Sequence, residues 1–230
     1  MRTAAILPVK RFPIAKQRLG MSVADSLRAD LARAMVGDVL SALRECPAVE
    51  ATIVVTRESM VAAAARYTGA IVIEDSAESG QSAAVSLGLA RAIEEGFERA
   101  LCVPGDCPTL NPGELTQLLD GEPNRVVIVP DRHGSGTNGL LLTPPDAISP
   151  SFGPDSRARH ERLAEQAAAS WRIEQPASLL LDIDTGEDLA VLRERLAGER
   201  VRAPRTRSVL DRSGTTSPPG SASGSASRAA

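Results

Sequence analysis

The chain has 230 residues, 26 basic and 29 acidic, for a formal net charge of −3; 43% of it is hydrophobic and only 2% aromatic. That balance excludes a strongly positive field for nucleic acid, and five aromatic rings cannot make a base-stacking platform. No apolar run reaches the length of a signal peptide's core or a membrane span, and three sparse cysteines (Cys46, Cys102, Cys107) without metal spacing fit reduced thiols in the cytoplasm.

In chain order, Thr3 to Val9 is a short apolar run and predicts a strand. From Ser26 a helical stripe passes through Leu27, Leu31, Met35, Val39 and Leu43, and Cys46-Pro47 ends it. ATIVVT (51–56) predicts a buried strand, an Ala-rich helix runs to Tyr67, and AIVIE (70–74) predicts a third strand. Residues 82–95 predict a helix with Gly96 as its stop. ALCVP (100–104) is a fourth strand, Asn111-Pro112 opens another helix, and RVVIVP (125–130) and GLLLT (139–143) are strands five and six. A helix is expected over 156–169, a last strand at SLLLDID (178–184) and a last helix over 187–196. From Ala203 the chain turns to Pro, Ser, Gly and Arg, with too little apolar surface to offset the entropy of ordering it. This predicts one domain over 1–202 and a disordered tail over 203–230.

Short strands alternating with longer helices predict an α/β three-layer sandwich around a mostly parallel sheet. Such sheets bind ligands beyond the carboxyl ends of their strands, so residues just after each strand are the functional candidates.

Five clusters sit there. The loop after the first strand carries Lys10, Arg11, Lys16 and Arg18, which suit a polyphosphate, or serve as a solvated basic loop; its spacing is not that of a P-loop. Asp106, on the Gly105-Asp106-Cys107-Pro108 turn, is placed to hold Mg²⁺ or to stabilise the turn. Asp182 and Asp184 share a face if their segment is extended, and two carboxylates there repel unless a cation lies between them. Asp188 is assigned to capping the following helix, whose N-terminus Glu187 also favours. Asp131 to Gly139 carries three glycines with Thr137 and Asn138, either an anion-binding loop or a mobile hairpin. Ser156 stands at a helix start, with Arg157, Arg159 and His160 behind it, an anion site or a plain capped helix. His133 and His160 make no Ser-His-Asp arrangement; both read as anion-loop residues.

Five segments, LPVKRFPIAKQRL, VPGDCPTL, DRHGSGTNGLLL, FGPDSRARH and LDIDTGEDL, follow one another in an order that resembles the guanylyltransferases of coenzyme F420 biosynthesis. The resemblance covers Leu7 to about Leu196. It implies a glycosyltransferase-A-like nucleotidyltransferase fold, GTP as donor, Mg²⁺ as cofactor and a small phosphorylated carboxylic acid, phosphoenolpyruvate or 2-phospho-L-lactate, as acceptor. It implies metal binding by Asp106, Asp182 and Asp184, and acceptor binding by Thr137, Gly153 and Ser156. It implies nucleotide binding by Lys10, Lys16, Arg18, Gln81 and Ser82, with Lys16 and Asp106 catalytic. Ser82 replaces an Asn and Asp155 a small residue of the family pattern. A homodimer and a downstream enzyme of the same pathway are the partners it suggests. A molybdenum-cofactor or sugar-phosphate nucleotidyltransferase, and a GTP-sensing regulatory domain, are the alternatives.

Overall fold

A computed structural model describes residues 1–11, 25–121, 124–198 and 201–214. Seven strands form one sheet in the order β3-β2-β1-β4-β6-β5-β7. They are β1 (Thr3–Val9), β2 (Ala51–Thr56), β3 (Ile71–Glu74), β4 (Arg99–Cys102), β5 (Val126–Pro130), β6 (Thr137–Leu142) and β7 (Trp171–Ile173). Only β6 runs against the others, pairing antiparallel with β4 and β5. The remaining pairs are parallel.

Successive side chains of a strand point to opposite faces, and because both faces of this sheet are covered the strands are apolar along their length. On β1, Ala5 and Leu7 pack with Val36, Val39 and Leu43 of α1 (Asp25–Glu45). The same core takes in Val61 and Ala65 of α2 (Ser59–Tyr67) and Leu115 of α4 (Pro112–Asp120). Ala4 and Ile6 face the other way, onto Val85 and Leu89 of α3 (Gln81–Glu94) and Ala164 of α5 (Ser156–Gln166). A Cβ on Gly88 would lie 2.4 Å from Ile6 Cγ2, so α3 approaches β1 at a distance only glycine allows. The expected three-layer α/β sandwich is what the chain adopts.

Two expectations fail. The residues 178–184 are not a strand, and β7 is instead Trp171–Ile173, beside β5. The apolar run at 178–184 reflects burial without sheet pairing. Leu179 N–H closes a turn on Pro176 O at 3.0 Å, and its own carbonyl accepts from Asn138 Nδ2 at 3.0 Å. Ile183 N–H donates to Asp106 O at 3.1 Å. The segment thus crosses the ends of β4 and β6 rather than extending the sheet.

The tail expected to be disordered from 203 begins instead with helix α7 (Pro204–Gly214). Ala203, Val209 and Leu210 are buried against Leu31 and Met35 of α1 and Leu192 and Leu196 of α6 (Gly186–Ala197). Asp38, 4% exposed on α1, accepts from Arg205 N–H at 3.2 Å and Thr206 N–H at 2.9 Å, satisfying the first amides of α7. Three apolar residues among polar ones sufficed because a neighbouring helix supplied both the groove and the cap. Residues 215–230 lie outside the described residues. Among the described residues no helix is long and apolar enough to cross a membrane.

Candidate active site

An open cleft of about 910 Å³ lies beyond the carboxyl ends of β1, β4 and β5. Asp106, Asp182 and Asp184 line its floor. Each offers a carboxylate oxygen, and these lie within 4.8 Å of one another. Asp106 comes from the turn after β4. Asp182 and Asp184 alternate with Leu181 and Ile183, which are buried against α1, α6 and α7, so the acids turn toward the cleft. The shared face expected of them therefore survives although the segment is not a strand.

Burial, then the neighbouring Asp106 and Asp184 charges, push the Asp182 carboxyl up to about 6, against the hydrogen bond it accepts from Asn138 Nδ2 at 3.1 Å. Three hard oxygen donors converging at the cost of mutual repulsion fit a divalent cation such as Mg²⁺, which would replace that repulsion by attraction.

Asp188 caps as expected. It and Thr185 form a reciprocal capping box at the start of α6. Its Oδ2 accepts from Thr185 N–H at 2.8 Å and Asp184 N–H at 3.1 Å, so the cap also fixes the backbone of a cleft acid. Burial works against its ionisation, but these bonds and Arg132 hold it below the usual carboxylate range. Arg132 Nε donates to Asp188 Oδ1 at 2.7 Å and ties the 131–136 loop to α6.

The opposite wall is built by the start of β6 and the loop into α5. Thr137, Gly153 and Ser156 all line the cleft, as do Gly136 and Asp155. Gly153 has φ 114°, which a side chain would resist. Ser156 is the first residue of α5, where the helix dipole favours an anion, while its own N–H and that of Arg157 donate to Gly153 O and Ser135 O, each at 3.1 Å. Asp155 occupies the N-cap at φ 54° without bonding the helix amides through its side chain.

The cations behind this wall have structural partners. Arg157 Nε donates to Glu161 at 2.8 Å, and Arg159 Nε donates to Ser151 Oγ at 3.0 Å. The expected anion-binding histidines also read differently in three dimensions. His133 is exposed, and His160 is fully buried. Burial, followed by the charge of Arg159, pulls the His160 imidazole down to about 4, so it is neutral at physiological pH.

At the third side of the cleft, Lys10 and Gln81 line the wall. Ser82 does not; its hydroxyl accepts from Phe152 N–H at 2.8 Å and braces the α5 loop against α3. Lys16 and Arg18 lie outside the described residues. Arg57 and Asp75, which stand directly after β2 and β3, also line the cleft. The carboxyl-end rule that singled out Asp106 points equally to them, but neither belongs to a motif. Arg57 and Arg11 both pair with Glu78, at 3.3 and 2.8 Å, so Arg11 braces this rim.

The family model for CofC-like guanylyl transferases matches residues 3–203. The chain belongs to this family. It is 48% identical over 222 residues to a phosphoenolpyruvate guanylyltransferase of Conexibacter woesei, covering 95% of this chain and 99% of that one. A 2-phospho-L-lactate guanylyltransferase of Methanothermobacter thermautotrophicus is 32% identical, with 82% and 83% covered. A solved nucleotidyl transferase from the same archaeon superposes with a TM-score of 0.60 at 18% identity, covering 85% of this chain and 98% of that one. That last likeness shows the nucleotidyltransferase fold. The CofC-like family match spans both walls of the cleft, from β1 to the acids before α6. Here the acid cluster lies between the wall bearing Lys10 and the wall bearing Thr137 and Ser156.

Proposed function

We propose that this CofC-like chain transfers GMP from GTP to phosphoenolpyruvate, using Mg²⁺ held by Asp106, Asp182 and Asp184. The observation that carries the reading is the convergence of those carboxylates in one cleft with the Thr137, Gly153 and Ser156 wall. An oxygen of the acceptor phosphate attacks the α-phosphorus of GTP, the bond to the β-phosphate oxygen breaks, and pyrophosphate leaves. That nucleophile is already ionised at neutral pH, so alignment and charge neutralisation make up the catalysis. The bound cation supplies Lewis-acid neutralisation of phosphoryl oxygens. Thr137 and the α5 N-terminus orient the acid, while Lys10 faces the polyphosphate. Lys16 is proposed as a further phosphate contact, with Arg18, and Gln81 as a nucleotide contact. Ser82 would act on the nucleotide indirectly, through its hold on Phe152.

The choice of phosphoenolpyruvate over 2-phospho-L-lactate rests on the names of the bacterial relatives, of which the Conexibacter protein is one. A cytoplasmic location, a homodimer and delivery of the product to a later enzyme of coenzyme F420 assembly belong to the same proposal. Asp106→Ala tests it through pyrophosphate release from GTP and phosphoenolpyruvate in saturating Mg²⁺. Turnover should drop by roughly 10³-fold or more, the scale of losing a preorganised electrostatic group. Near-wild-type turnover would remove the acid cluster from the mechanism.

A further inference from the structure

Thr137 sits on the acceptor wall, but a threonine hydroxyl is ambivalent. It can turn its proton or its lone pairs toward a ligand, and only the proton suits an anion. The residues behind it settle the choice.

Ser151 N–H, which can only donate, points at His160 Nε2 at 2.9 Å. That nitrogen therefore carries a lone pair. Ser151 is itself held by Arg159, whose guanidinium donates to both its hydroxyl and its carbonyl, at 3.0 Å each. The imidazole is 0% exposed, with the Phe152 ring edge-on at 5.1 Å, and among the described residues no carboxylate is bonded to it to favour the imidazolium. A neutral imidazole whose Nε2 accepts must carry its proton on Nδ1. Nδ1 lies 3.0 Å from Thr137 Oγ1, so the hydroxyl accepts that bond. Its own hydrogen is left to point elsewhere, and Thr137 lines the cleft.

We propose that His160 is a positioning residue: locked as the Nδ1–H tautomer by Ser151, it holds the Thr137 hydroxyl as a donor aimed at an anionic oxygen of the phosphorylated acid. The opposite tautomer would draw the hydroxyl proton inward and present lone pairs to the anion. The inference rests on the acceptor assignment given under the proposed function, and it adds a selectivity element. The wall is set to receive carboxylate or phosphate oxygens and to disfavour an acceptor that can only donate at that point.

His160→Phe keeps the ring packing and removes the donor. His160→Asn restores an N–H on the atom attached to Cγ, where Nδ1 stood. In steady-state assays with GTP and phosphoenolpyruvate, His160→Phe should raise KM for the acid at least about 10-fold, the scale of a hydrogen bond to a charged group. KM for GTP should stay within about 2-fold, and His160→Asn should recover most of the loss. Thr137→Val should raise the acid KM similarly, and adding His160→Phe to it should do little more, because both act through one hydroxyl. Nitrogen-15 NMR of the wild-type histidines reads the tautomer without any variant, and should show a neutral Nδ1–H ring at pH 7. An Nε2–H ring, an imidazolium, or an unchanged acid KM in a folded His160→Phe would overturn the positioning role alone. A wild-type protein that turns over no phosphorylated acid would overturn the acceptor reading and this role together.

Discussion

Asp182→Asn removes one charge from the acid cluster while leaving an oxygen to accept from Asn138 Nδ2. The metal-free wild type carries the Asp182 carboxyl at about 6 instead of 3.8, chiefly through burial and the Asp106 charge. Two units correspond to about 3 kcal/mol at 1.36 kcal/mol per unit, and partial solvent access reduces this to about 2 kcal/mol. The direction follows from proton counts. Below 3.8 both folded and unfolded chains are protonated at this site, so nothing is lost. Between 3.8 and about 6 the unfolded chain releases its proton first, and stability falls as pH rises; above that the full penalty persists. Urea unfolding in a chelator should therefore show Asp182→Asn more stable than wild type by about 2 kcal/mol near pH 8, with the gain shrinking toward pH 4. The variant should at the same time lose Mg²⁺-dependent stabilisation and turnover. A variant no more stable than wild type at pH 8 would show that the cluster is not under electrostatic load, and the argument for a cation would lose its physical basis.

Other expectations follow from single contacts. Asp188→Ala breaks the capping box and leaves Arg132 without its 2.7 Å partner; thermal unfolding should register a loss of about 2 kcal/mol, and kcat should fall because Asp184 loses its backbone anchor. Unchanged kcat would separate the cap from the site. Gly88→Ala forces a methyl to within 2.4 Å of Ile6 Cγ2 and should lower stability by about 1–3 kcal/mol; an unchanged urea midpoint would contradict the close α3–β1 packing. Leu210→Asp places a charge at a 7%-exposed position under α7. Limited proteolysis should then cut within 204–214, where the wild type resists, and equal resistance would show that α7 is held otherwise.

The sheet was legible because its strands are buried on both faces and read as short apolar runs between helical stripes. Strand order was not, since β6 inserts between β4 and β5 through pairings no local pattern encodes. The run at 178–184 looked like a strand because Leu179 to Leu181 is a short apolar run and Leu181 and Ile183 then alternate with Asp182 and Asp184, a pattern that burial of one side of any extended segment gives. β7 has three half-buried residues, too few for a periodic signal. The tail misled through composition: Val209 and Leu210 are few, but Asp38, 167 residues from Arg205, completes the helix end.

At the site, the carboxyl-end rule pointed to Asp106, the shared-face argument to Asp182 and Asp184, and the family resemblance to Thr137, Gly153 and Ser156, and these residues line one cleft. Sequence could not distinguish cations facing the cleft from cations bracing a loop, and Arg157 and Arg159 are the latter. Nor could it show that His160 is buried and neutral, because that depends on Ser151 N–H meeting its Nε2.

Membership of the guanylyl transferase family and the acid-lined cleft point to one reaction, guanylyl transfer to a phosphorylated acid. The most direct test is mass spectrometry of the product formed from GTP, Mg²⁺ and phosphoenolpyruvate, with pyrophosphate measured in parallel. The expected product has the combined mass of GTP and the acid less pyrophosphate, formed one-to-one with the pyrophosphate released. Hydrolysis of GTP to GDP and phosphate, or the same adduct only from a sugar phosphate, would contradict it.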